Sequence, residues 1–256
     1  MKRIYKSIGL VAGILLSFSL HVYAQEEGAK TEKESGGETF TNGLDMKMIW
    51  VAPGSVKGTE HAWTNVSYLN RGVKDIVIQD GYYLAATEVT QKQWDELMEK
   101  NPSKFKGDDL PVERVSWDDA MEYCKRLTEK EHRARRLPRG YHYTLPTEHQ
   151  WEYACRAGSS NDRDGNLEEQ GWVQSNSDRK THPVGTKAPN PWGFYDMYGN
   201  VWEWCENKID SYDYLGNRGG SWASKPEDCR AGTRGWESAH VKMPTLGFRV
   251  ALVKRK

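Results

Sequence analysis

The residues of this chain best suited to chemistry are its four cysteines, Cys124, Cys155, Cys205 and Cys229. Paired thiolates hold soft metals such as Cu(I), and paired thiols in an oxidising compartment become disulfides. Cys205 and Cys229 flank the segment Arg218-Gly219-Gly220-Ser221 and could staple it. The plainer reading keeps such thiols as small buried apolar groups. Carboxylates are the second candidates. Glu88, Glu113, Glu148 and Glu152 could form acid/base pairs, yet two of them have evident structural work. Glu148 follows Thr147 in a first helical turn, and Arg156 stands four residues after Glu152. The seven histidines are scattered; the nearest pair, His142 and His149, lies either side of a Leu-Pro-Thr-Glu turn. A lone Arg-Gly-Gly is better explained by glycine backbone freedom than by RNA binding. The Glu-Pro-Asn and Gln-Pro-Asp tripeptides of sugar-binding calcium loops do not occur.

These side chains need elements to hold them. Three helices announce themselves by one device. Thr90-x-x-Gln93, Ser116-x-x-Asp119 and Thr147-x-x-Gln150 each have the spacing of a reciprocal N-cap, and apolar residues at helical spacing follow. Short strands are predicted over Lys47–Ala52, Tyr82–Ala86 and Leu246–Val253. Residues 159–170 are polar and predict a long surface loop. Short helices, short strands and much ordered loop predict an α+β fold. The chain has 256 residues and eleven tryptophans, a marked excess that suits an irregular core in which each indole N–H finds a partner.

Residues 1–24 read as a secretory signal: Lys2, Arg3 and Lys6 precede an apolar run too short to span a membrane comfortably, and Val22-Tyr23-Ala24 has a cleavage-site character. An exported product, periplasmic or secreted and not membrane-integral after cleavage, is expected. Residues 25–41 read as a disordered polar linker and 42–256 as the globular domain. The formal net charge is zero. Loss of the three signal cations makes the mature chain slightly acidic, which argues against a nucleic-acid partner.

Eight ordered motifs, including Tyr83–Trp94, Asn101–Gly107, Leu110–Ala120, Tyr143–Gly158, Gly193–Trp204, Arg218–Trp222 and Leu246–Ala251, resemble the formylglycine-generating enzyme, or sulfatase-modifying factor, superfamily. The resemblance implies an irregular C-type-lectin-like α+β fold. Its oxidases convert a sulfatase cysteine to formylglycine with copper held by two thiolates. Here Ser224 occupies the first thiolate position and Cys229 falls in the second by direct count. The family's downstream arginines, here Arg230 and Arg234, arrive early, so a place for Cys229 in the structural segment after a deletion stays open. Thr245 replaces a cleft asparagine. A hydroxyl cannot replace a soft thiolate on Cu(I), so copper binding is not expected. Trp202 and Ser221 still match cleft positions, and Trp222 and Trp236 are candidate partner contacts.

The resemblance also implies a structural Ca²⁺ loop, here Asp196, Gly199, Val201 and Glu203, all able to offer oxygen. The competing reading has Glu203 in a salt bridge without metal. The family's C-terminal cysteine partners are missing, so the expected pairing becomes Cys124 with Cys155 and Cys205 with Cys229. The function so implied is a calcium-stabilised module that binds a protein or peptide, with a sulfatase as a candidate partner. The alternatives are a formylglycine-generating oxidoreductase, or a divergent metal-dependent oxidase, and a lectin-like binder with a diversified surface over residues 223–243.

Overall fold

Reciprocal caps start all three of the principal helices of the computed structural model, which describes residues 35–57, 75–209 and 214–255. Thr90 caps α1 (Gln91–Asp95), Ser116 caps α2 (Trp117–Arg133) and Thr147 caps α3 (Glu148–Arg156). In each, the hydroxyl accepts from the N3 amide while the N3 side chain accepts from the cap amide, satisfying two otherwise unpaired donors. The chain divides into two units, Met1–Glu32 and Lys33–Lys256. The expected signal segment and residues 25–34 of the expected linker lie outside the described residues.

A five-stranded antiparallel sheet is the centre of the second unit. It runs β1 (Thr39–Thr41), β2 (Lys47–Val51), β5 (Tyr82–Ala85), β11 (Ala251–Lys254), β6 (Tyr141–Thr144). Side chains alternate along its strands and both faces are buried. Met48, Ala85 and Leu252 face a core shared with Tyr123, Cys124 and Leu127 of α2. Ile49, Leu84 and Ala251 face the opposite core, shared with Trp151, Ala154 and Cys155 of α3. A second sheet orders β10 (Leu246–Gly247), β7 (Trp202–Ile209), β8 (Tyr214–Arg218) and β9 (Arg234–Ser238). The antiparallel pair β3 (Gly54–Val56) and β4 (Ile76–Ile78), the one-turn α4 (Leu167–Gln170) and a 3-10 turn at Pro226–Asp228 complete the elements among the described residues. The fold is α+β with much ordered loop.

Three expectations need correction. Residues 39–41 of the supposed linker form β1, because Phe40 packs edge-on to Tyr83 and the strand pairs with β2. The loop 159–170 is held rather than loose: Arg156 donates to Asn161 O and Asp162 Oδ1, and Leu167 is buried. The single strand expected over Leu246–Val253 is two strands in different sheets. The chain breaks between them so that Arg249 turns inward, and the two sheets are joined there.

A buried ion network fixes α3 to the second sheet. Arg218 of β8 donates to Glu148 Oε2 (2.9 Å) and Glu152 Oε2 (3.0 Å). Arg156 takes the other Glu152 oxygen, and Arg234 of β9 takes Glu148. Three guanidinium groups meet Glu148, Glu152 and Asp162, so the network is balanced. Burial pushes the Glu148 carboxyl up, but Arg218 and Arg234 outweigh it and hold the group below its ordinary 4.5. Glu148 is therefore ionised in the fold. Its contribution is full above the ordinary glutamate range and is lost as pH falls through the depressed value. We expect Glu148→Gln to cost about 3–5 kcal/mol at neutral pH, by leaving two guanidiniums short of charge, and to flatten the acid limb of a stability-versus-pH curve. Denaturant midpoints at several pH values check this; an unchanged acid limb would contradict it.

Candidate functional site

The segment that matches the family's cleft begins where β8 ends. Gly219 and Gly220 both have left-handed backbones, with φ of 98° and 82°, and swing the chain out of the strand. A Cβ at position 220 would stand 2.6 Å from the Cys229 sulfur and 3.6 Å from the Ser224 Cβ. That close approach requires glycine. It also shows that Ser224 and Cys229 flank one point, as their motif positions imply.

The chemistry there is not that of a metal dithiolate. Ser224 Oγ accepts from the Ser221 amide (3.0 Å), and the Ser224 amide donates to Ser221 O (2.9 Å), closing a tight turn. The two hydroxyls lie 3.3 Å apart. Cys229 is completely buried, and burial together with Asp228 pushes its thiol up to about 12. Such a thiol is mostly protonated at neutral pH and is a poor nucleophile there.

Trp222, Trp202 and Thr245 close the cleft. The Trp222 amide donates to Asn200 O and its indole N–H to Pro244 O (2.9 Å), while Phe105 meets the ring edge-on at 5.7 Å. Glu113 positions Phe105 by accepting from the Lys104 and Phe105 amides. The Trp202 amide donates to Thr245 O (2.7 Å). Trp202, Ser221, Trp222, Ser224 and Thr245 are thus brought together. Trp236 stands on β9 opposite Gly216.

All four cysteines are buried free thiols, and the expected disulfides are not formed. Cys124 packs in the α2 core, whereas Cys155, Cys205 and Cys229 pack in the core on the other face of the central sheet. The sheet therefore separates Cys124 from Cys155. Burial raises every one of these thiols, as small packed apolar groups require. His142 and His149 do not converge: His142 points its Nδ1 inward from β6 without a partner, and His149 is exposed on α3.

A second set of charged groups is buried around Arg249. Arg249 donates to both Glu203 oxygens (2.6 and 2.7 Å) and to the carbonyls of Ala85, Ala86 and Tyr195. The Trp151 indole adds a third donor to Glu203 at 2.6 Å. Asp196 has a left-handed backbone, φ 57°, and one carboxylate oxygen accepts from the Gly185 amide. Its other oxygen and both oxygens of Glu88 are buried and find no hydrogen-bond donor outside the pair, while Asp196 and Glu88 lie close enough to share a hydrogen bond. Three carboxyl groups therefore surround one guanidinium. Burial, then the charges of Asp196 and Glu203, hold Glu88 well above the usual range against the pull of Arg249. Burial likewise lifts Asp196 to about 6, opposed by the Gly185 amide and Arg249.

A hard cation fits this pocket in charge and in the open oxygens of Asp196 and Glu88. The Glu203 expected as a ligand is instead engaged by Arg249 and Trp151. Among the described residues no group of three His, Cys, Asp or Glu side chains is arranged to hold a metal. Glu88 and Arg249 were not assigned to this site from sequence. The available signal was a lone charge inside an apolar run: Arg249 in Leu-Gly-Phe-Arg-Val-Ala, and Glu88 after Leu-Ala-Ala-Thr.

Residues 37–254 match the family model of the sulfatase-modifying factor enzyme 1-like domain. The chain belongs to this family. It is 29% identical to "Chaperone protein LppX" of Paenibacillus barcinonensis, over 86% of this chain and 92% of that one. It is 32% identical to "Inactive C-alpha-formylglycine-generating enzyme 2" of Mus musculus over 56% of this chain, and spans about half (49%) of that relative. Among solved structures it is similar to "Treponema denticola variable protein 1", with 28% identity, a TM-score of 0.71 and coverage of 86% and 99%.

The two carboxylates of this family domain should respond oppositely to neutralisation. Glu203→Gln strips the bidentate partner from a buried Arg249 and should cost about 3–5 kcal/mol. In the metal-free protein, measured in EDTA, Glu88→Gln replaces a carboxyl that burial and the neighbouring Asp196 and Glu203 hold well above the usual range, and should change stability by less than about 1 kcal/mol. Urea midpoints at pH 7 separate them; equal losses would show that Glu88 is ionised.

Proposed function

We propose that this sulfatase-modifying-factor-like domain is an exported, non-catalytic module that binds a protein or peptide segment across the cleft of Trp202, Ser221, Trp222 and Thr245. One observation carries the reading. Ser224 stands at the first thiolate position with its hydroxyl committed to the Ser221 turn, which leaves Cys229 as a single buried sulfur opposite. A copper dithiolate needs two sulfurs, and a hydroxyl cannot supply the second. Trp222 and Trp202 are half-buried, and Trp222, its indole N–H satisfied by Pro244, is suited to anchoring a partner. A family relative whose name is that of a chaperone supports interaction with protein in general, and another named inactive supports a family role without oxidase chemistry.

The test incubates the purified protein with Cu(I), oxygen and a Cys-x-Pro-x-Arg peptide. Conversion of the cysteine side chain to an aldehyde would lower the peptide mass by about 18 Da through a copper thiolate site. We expect no such loss; its appearance would establish the oxidoreductase reading instead.

Calcium is the second part of the proposal. Two negative charges in excess of Arg249 would stand in the pocket with all three carboxyls ionised, and burying them uncompensated is expensive. Protons on Glu88 and Asp196 relieve the excess, and so would a bound Ca²⁺ accepting oxygens from Asp196, Glu88 and the carbonyls of Gly199 and Val201. We expect EDTA to lower the melting midpoint and added Ca²⁺ to restore it, since a ligand of the native state alone stabilises it. An unmoved midpoint sinks the calcium assignment and leaves the cleft reading standing.

A diversified surface over residues 223–243 is a second reading. It is supported by the similarity to a protein named variable, and by β9, whose residues are all partly exposed.

A further inference from the structure

The near-neutral total charge conceals a segregated one. Between Lys125 and Arg139 stand seven Lys or Arg residues against two Glu. The fold gathers the far end of this run with the end of the chain. After α2, the turn over residues 134–140 leads into β6, whose partner β11 aligns Lys254 with Tyr141, and the Arg255 amide donates to Gly140 O at 2.7 Å. Arg135, Arg139, Lys254 and Arg255 therefore share one end of the molecule, and all four are exposed.

Their partners distinguish them from the neighbouring cations. Arg126, Lys130 and Arg136 are engaged by Glu122, Glu96 and Glu131. They line an adjoining open cavity of about 690 Å³ that also carries Glu96 and Glu129. Arg133 pairs with Glu129, but both are well exposed, and such a pair is easily exchanged for another anion. Arg135, Arg139, Lys254 and Arg255 form no ion pair among the described residues. An uncompensated array of this kind would repel itself without anions near it.

The chemistry of the array selects the partner. Protein interfaces are anchored by apolar or aromatic side chains in pockets. The exposed large hydrophobic residues of the described chain are Val77 and Tyr214, on other strands, so this end offers no such anchor. Single-stranded nucleic acid would need exposed aromatic platforms, also missing here. What remains is several separate cations, mostly guanidinium forks that match phosphate oxygens, spread over a strand end and a turn. That arrangement suits many phosphates in a plane. We propose that this end of the domain docks peripherally on an anionic phospholipid bilayer through Arg135, Arg139, Lys254 and Arg255, with Arg133 joining by exchange. Lys/Arg clusters beside a bilayer are attracted by its surface potential within about one Debye length, roughly 8 Å at physiological salt. The proposal is independent of what the cleft binds.

The test uses residues 33–256, the unit that contains both cores, so that the apolar N-terminal segment cannot itself insert. Cosedimentation is measured with vesicles of phosphatidylcholine containing phosphatidylglycerol and with phosphatidylcholine alone. Binding is expected only to the first, with release on raising salt to about 0.5 M. The triple variant Arg135→Gln, Arg139→Gln, Arg255→Gln should bind at least tenfold more weakly with an unchanged melting midpoint. Should that midpoint fall, the double variant Arg139→Gln, Arg255→Gln gives the same comparison. A control that removes equal charge elsewhere, Lys92→Gln, Lys225→Gln, Arg230→Gln, should retain binding. Absence of binding to anionic vesicles, undiminished binding by the triple variant, or equal loss in the control each overturns the proposal. Retention on an acidic protein without vesicle binding also overturns it and assigns the surface to a protein partner.

Discussion

The bidentate pair between Arg249 and Glu203 is the constraint on which the architecture turns. Both groups are fully buried, and each is useless without the other. Arg249 lies where the chain leaves the second sheet for the central one, and Glu203 lies on β7 of the second sheet. The guanidinium also takes the carbonyls at the end of β5 and Tyr195 O. Its five donors thus close the backbone of three segments that have no continuous ladder between them. Taking such a pair out of water is costly, so its value lies in geometry: few other side chains could satisfy diverging carbonyls and a carboxylate together.

The two buried ionic systems differ in balance, and the difference separates scaffold from candidate site. Around Glu148 and Glu152 charges match and hydrogen bonds are shared, which is how a structural network satisfies itself. Around Arg249 they do not match. Glu88 and Asp196 keep unpartnered oxygens in a place where only a proton or a cation can compensate them. Imbalance of this sort does not arise from packing needs, since an apolar side chain at position 88 would pack without the penalty. The Arg-Gly-Gly-Ser turn shows the reverse: Ser221 and Ser224 satisfy one another, and Trp222 is held by the carbonyls of Asn200 and Pro244.

Much of this was legible in sequence because local signals set it. The three N-caps sit where Thr90, Ser116 and Thr147 place them, since a cap needs only its own four residues. Two of the three strands were found nearly to the residue. The third was misread: the apolar run Leu246–Val253 has no internal mark for a change of sheet except Arg249, whose burial depends on Glu203 far away in sequence. The pocket was half legible for the same reason. Asp196 and Glu203 belong to one short motif, but Glu88 arrives through the sheet register. The cysteines failed most completely. Proximity in sequence to the Arg-Gly-Gly-Ser turn suggested a staple, and only the position of the central sheet shows Cys124 and Cys155 on opposite faces.

The tryptophan excess follows from the same scarcity of regular structure. Loops lack the ladders that pair backbone groups in helices and sheets, so their carbonyls need other donors. The indoles supply them across long separations. Trp204 donates to Val115 O, Trp117 to Cys205 O, Trp222 to Pro244 O and Trp94 to Lys100 O. The first two are reciprocal: the segment before and at the start of α2 and strand β7 each send an indole N–H to the other's backbone. Phenylalanine could fill the same volume without pairing a carbonyl, which favours tryptophan at these four positions. An indole that holds a loop in this way is already committed. The tryptophans free to meet a partner are therefore those whose rings remain partly exposed after the N–H is satisfied, and Trp222 in the cleft meets that condition.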